Sequence, residues 1–124
     1  MKDQILVDTN VIVQYLKSGK GLLPTVYEKY EMLISAVTLT ELLASKTFED
    51  ASLQKEVIEF VDKYFTIKEI NREIASKAAE LIRVYGVNLA TSYIAATSIV
   101  NNMPLLSESD EHYKMISEVK MHED

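Results

Sequence analysis

Cysteine is absent from the sequence. That excludes a disulfide framework, a thiolate metal site and a thiol nucleophile together, and it fits a reducing intracellular setting. No uninterrupted apolar run is long enough to cross a bilayer. The first apolar stretch, Ile5 to Val7, is cut at once by Asp8, unlike the core of a secretory signal. A cytoplasmic protein with no membrane association is expected. Positive charge is scarce, with 13 Lys and Arg against 19 Asp and Glu and a net charge of −6. Nucleic-acid binders normally carry a basic footprint, so this balance argues against non-specific binding to polyanions. It leaves room for a site whose acids surround cations, because a bound ion reverses the local sign. Repeats, low-complexity tracts and domain linkers are also missing. The 124 residues are therefore expected to form one domain, 1–124, large enough for a core without staples.

Short apolar runs alternate with helical patterns. Gln4 to Val7 reads as a first strand, followed by Asp8-Thr9-Asn10, whose side chains suit a helix N-terminus. Val11 to Leu16 reads as helix, Ser18 to Gly21 as loop, and Pro24 as the first turn of a short helix running toward Tyr30. Met32 to Ser35 is a second strand and Thr38 to Ser45 a helix. Leu53, Val57, Phe60, Val61 and Tyr64 share one helical face, and so do Ile74, Ala78, Leu81, Ile82 and Tyr85, with Gly86 placed to end that helix. Phe65 to Ile67 is a third strand candidate. Ser92 to Val100 is apolar almost all round and should be buried. Asn101, Asn102 and Pro104 break it before a very short fourth strand, Leu105-Leu106, and a last edge strand is expected near Val119. Met121 to Asp124 are expected to be loose. Strands joined through helices give βα units, hence an α/β fold with a mainly parallel sheet covered on both faces.

Open parallel sheets bind ligands beyond the carboxyl ends of their strands. That rule singles out Asp8 after strand one, Glu41 after strand two and the segment from Ser107 to Glu111 after strand four. Carboxylates brought from separate segments to one rim make a hard, oxygen-rich site suited to Mg2+ or Mn2+. Such an ion activates water and stabilises both oxygens of an in-line phosphoryl displacement. Each acid also has a purely structural reading. Asp8 can cap the following helix, and Thr38-x-x-Glu41 has the spacing of a capping box. Against the latter, Glu41 lies in the apolar run Val37 to Ala44, where a carboxylate is costly without a cation or hydrogen bonds. Glu108, Asp110 and Glu111 read as a charged surface, and His112 and His122 as solvated.

Taken as a set, these segments are similar to the motifs of PIN domains, the ribonuclease family that includes the VapC toxins of toxin–antitoxin pairs. Ile5 to Val11 resembles the family's opening strand, with its first acid at Asp8. Ser35 to Leu42 resembles the second motif, with its acid at Glu41. Thr91 to Thr97 resembles the third motif, and Pro104 to Ser107 the strand leading to the fourth. The resemblance spans essentially the whole chain. It implies a three-layer α/β/α sandwich and metal-dependent cleavage of RNA by Asp8, Glu41 and Asp110 holding Mg2+ or Mn2+. Thr9, Asn10, Thr91 and Ser107 support that shell. It further implies a homodimer and a VapB-like antitoxin, which can bring an Arg or Lys to the carboxylates.

The sequence departs from the family at one decisive position. Most members open the third motif with an aspartate, where this chain has Thr91, flanked by Ala90 and Ser92. The usual place of the fourth acid is Ser109, with Asp110 beside it. Thr91 is either a neutral oxygen ligand or simply the cap of the buried helix. A second reading follows from this departure: a catalytically weakened or inactive PIN fold that serves as a protein- or RNA-binding module.

Overall fold

The computed structural model describes residues 1–123. Four strands, β1 (Asp3–Val7), β2 (Tyr30–Ser35), β3 (Thr66–Lys68) and β4 (Leu105–Leu106), form one parallel sheet in the order β3-β2-β1-β4. Six helices connect them: α1 (Thr9–Ser18), α2 (Leu23–Val26), α3 (Ala36–Ala44), α4 (Ala51–Tyr64), α5 (Arg72–Tyr85) and α6 (Leu89–Val100). Side chains alternate along each strand and so sort into two cores. Ile5, Val7, Met32, Ile34 and Leu106 face α1 to α4 with Val11, Ile12, Leu42, Val57 and Val61. Leu6, Leu33 and Leu105 face α5, α6 and the C-terminal segment with Ile74, Leu81, Ile94 and Ile116. This is the expected three-layer α/β/α arrangement. No helix among the described residues is long and apolar enough to cross a membrane.

Several boundaries differ from expectation because caps lie outside the periodic stretch. Asp8, Ser35, Asp50, Asn71 and Asn88 are the N-caps of α1, α3, α4, α5 and α6. Consequently α1, α3 and α6 each begin two or three residues before the apolar pattern does. Gly19 and Gly86 close α1 and α5 in the left-handed region, at φ 71° and 70°, where a side chain would be strained. The helix entered at Pro24 stops at Val26 instead of continuing toward Tyr30, which already belongs to β2. Helix α6 is buried through most of Thr91 to Ser98, though Leu89 at its start is exposed, and it tolerates that burial because its hydroxyls bond to nearby carbonyls, Ser92 to Leu89, Thr97 to Tyr93 and Ser98 to Met103.

The edge strand expected near Val119 is a single bridge from Met121 to Leu105, with the Lys120 carbonyl accepting from Leu105 and the His122 amide donating back to it. Met121 and His122 are thus tied down; Asp124, also expected to be loose, lies outside the described residues.

From β1 through β3 the chain moves outward on one side, then returns to pair β4 with the opposite edge of β1. The connection reverses direction there, and a crevice opens between the carboxyl ends of β1 and β4. The core behind it is tight. Ile34 is fully buried at the middle of the sheet, so Ile34→Ala is expected to cost about 3 kcal/mol. The check is a lower urea midpoint with an unchanged slope.

Candidate active site

Asp8 follows β1 directly and sits at the head of that crevice, only 5% exposed. Its Oδ1 accepts from the Thr9 amide at 2.8 Å, which caps α1. Its Oδ2 accepts from two hydroxyls, Ser107 at 2.8 Å and Tyr113 at 3.0 Å. The structural reading of Asp8 as a cap is therefore correct for one oxygen and insufficient for the other. Ser107 lies immediately after β4, held there by the Ser109 amide and by Asn10, which also accepts from the Glu108 amide. Thus the loops after β1 and β4 are stitched together around one carboxylate.

Glu41 arrives from α3. Its capping-box reading fails, because the cap of α3 is Ser35, whose Oγ accepts from the Val37 amide. That register places Thr38 and Glu41 one turn apart on the same face, toward α1. Thr9 Oγ1 lies 2.6 Å from Glu41 Oε1 and 3.0 Å from Thr38 Oγ1. A hydroxyl has one proton to give. At the shorter distance Thr9 gives it to the carboxylate and accepts from the buried Thr38. Glu41 is thereby aimed by a short chain of hydroxyls.

Both acids open into a cleft of about 660 Å3, whose wall includes Thr9, Asn10, Asn88, Thr91, His112 and Tyr113. Thr91 is not the cap of α6, since Asn88 accepts from the Thr91 amide at 2.8 Å. It sits within the first turn with its side chain on the cleft wall, where the structure brings it together with Asp8 and Glu41. Asp110 does not line the cleft; it is exposed at the start of a 3-10 turn, Asp110–His112. His112 is exposed, as expected, yet borders the cleft. Lys17, on the last turn of α1, is the one Lys or Arg on the wall among the described residues.

Tyr113 is the residue that the sequence reading missed. It is 2% exposed and packs with the α5–α6 core. Burial, then the charge of Asp8 and its hydrogen bond, push the phenol far above its ordinary range, so it stays a donor at any working pH. The available signal was slight, a lone tyrosine in the polar stretch Ser107 to Lys114.

The PIN domain family model matches residues 5–119, nearly the whole chain. The chain belongs to the PIN domain family. A similar PIN protein is the ribonuclease VapC1 of Methanocaldococcus jannaschii, 28% identical over 122 residues, covering 94% of this chain and 84% of that protein. Two solved PIN structures share the fold. VapBC2 from Rickettsia felis, bound to a promoter DNA fragment, superposes with a TM-score of 0.79 at 19% identity, covering 96% and 97% of the two chains. VapBC-1 from nontypeable Haemophilus influenzae has a TM-score of 0.79 at 16% identity, with 97% of each chain covered. PIN ribonucleases of the VapC type generally depend on a divalent metal ion.

The donor set suits such an ion in kind but is small. The side chains of Asp8, Thr9, Glu41 and Ser107 at the head of the crevice offer only oxygens, the ligand atoms of a hard cation. Among the described residues no three His, Cys, Asp or Glu side chains are grouped to hold a metal. Asp8 and Glu41 are the two carboxylates that would hold one hard cation there, with water supplying further oxygens.

Proposed function

We propose that this PIN domain is a metal-dependent endoribonuclease of the VapC type, the toxin of a toxin–antitoxin pair. The observation that carries the reading is the meeting of Asp8 and Glu41 at the β1/β4 crevice, each braced by hydroxyl donors. The similarity to a ribonuclease VapC1 supports it. Asp8 and Glu41 would hold Mg2+ or Mn2+, which supplies an activated water and charge stabilisation for phosphodiester displacement. Thr9, Thr38, Ser107 and Tyr113 fix the directions of the two carboxylates. Lys17 offers the cleft a cation for a substrate phosphate. Asp110, outside the cleft wall, is the remaining candidate acid of the set.

The relatives found in VapBC assemblies support a VapB-like antitoxin as partner. An Arg or Lys from it would compete for the same carboxylates. A homodimer acting in the cytoplasm completes this reading. The test is cleavage of a mixed RNA pool by purified protein. Cutting with Mn2+ or Mg2+ that stops with chelator is the expected result; intact RNA under every metal would overturn it. In that event Thr91 and the two-acid set favour the binding-module reading.

A further inference from the structure

Resting on the ribonuclease reading, we infer that Tyr113 is a positioning residue that makes Asp8 a one-point ligand, so that the site holds a single divalent ion. Asp8 Oδ2 receives two donors, the Tyr113 phenol at 3.0 Å and the Ser107 hydroxyl at 2.8 Å. A carboxylate oxygen has about two lone pairs to offer, so Oδ2 is filled from within the protein. The Thr9 amide takes one place on Oδ1, leaving that oxygen a single direction for a cation. Bidentate ligation, and bridging of two ions through one oxygen or both, each need at least two open directions on the carboxylate, and Asp8 has one.

Tyr113 can enforce this because it is rigidly set. Its ring is buried in the α5–α6 core, and its amide and carbonyl are bonded to Asp110 and Ile116. On the Glu41 side, Thr9 engages Oε1. Among the described residues none donates a hydrogen bond to Oε2, which is the complementary ligand atom.

The experiment is a titration of metal-free protein with Mn2+ and no RNA, followed by calorimetry and by the paramagnetic resonance of free Mn2+. The wild type is expected to bind one Mn2+ per chain. Tyr113→Phe keeps the ring and removes only the donor, and is expected to weaken Mn2+ binding about tenfold or more, as loss of a group that orients a metal ligand does. A residue that merely anchored its segment would lower the unfolding midpoint and leave the affinity of the folded protein unchanged. Ser107→Ala removes the other donor to Oδ2 and should act in the same direction, so it carries the test if Tyr113→Phe does not fold. Two Mn2+ per wild-type chain, or unaltered affinity in the folded variants, would overturn the inference while metal-dependent RNA cleavage by the wild type still stood. A wild type that binds no Mn2+ would sink both.

Discussion

Asp8→Asn is expected to lower Mn2+-dependent RNA cleavage by about a thousandfold or more, roughly 4 kcal/mol of transition-state stabilisation. Asparagine keeps the shape and removes the charge. It also replaces one acceptor with an NH2 donor at a position where all three neighbours donate: the Thr9 amide, Ser107 and Tyr113. Either the cap of α1 or the hydroxyl pair then faces a donor, and the fold should lose about 1–3 kcal/mol as well. Turnover and thermal melting measured on the same sample separate the two losses. Asp110→Asn is the matched comparison. Its side chain is exposed and off the cleft wall, so a loss below about tenfold is expected. Equal losses in both variants would show that the reaction depends on Asp110 as much as on Asp8.

Thr91→Asp should move activity the other way. The backbone of residue 91 is fixed by Asn88 and its side chain already lines the cleft, so an aspartate there restores a third acid without disturbing the cap. An acid within the first turn of α6 also suits the helix dipole. Attraction to a divalent ion is partly offset by repulsion from Asp8 and Glu41; a net gain of about 3 kcal/mol is roughly a hundredfold in Mn2+ affinity. The metal-free variant should melt below the wild type, because three carboxylates then crowd one cleft, and Mn2+ should reverse the deficit by binding the folded state. Cleavage is expected to rise with affinity. An unchanged affinity would show that residue 91 does not reach the ion.

The layers were legible because each rests on a local rule. The unbroken apolar runs Ile5 to Val7 and Met32 to Ile34, buried on both faces of the sheet, and the period-3.6 burial in α4 and α5 are written in the order of residues. Helix starts were less legible, since a cap such as Ser35 or Asn88 lies ahead of the apolar pattern and competes with later candidates such as Thr38 and Thr91. Of the site, Asp8 and Glu41 could be read from their positions after strands, and Ser107, Asn10 and Thr9 from the motif order. Tyr113 could not. Its role depends on a contact across 105 residues, and nothing in the neighbouring side chains signals a partner that distant. The hydroxyl chain from Thr38 through Thr9 to Glu41 is of the same kind, spanning α1 and α3.

The separation between Asp8 and its two hydroxyl donors has a consequence during synthesis. Ser107 and Tyr113 leave the ribosome about a hundred residues after Asp8 does. Until β4 pairs with β1, the first carboxylate lacks the groups that aim it, even though β1 and β2 can already associate. A nascent chain therefore carries both acids before the groups that aim Asp8 have been made, and the crevice is complete only once the last turn docks.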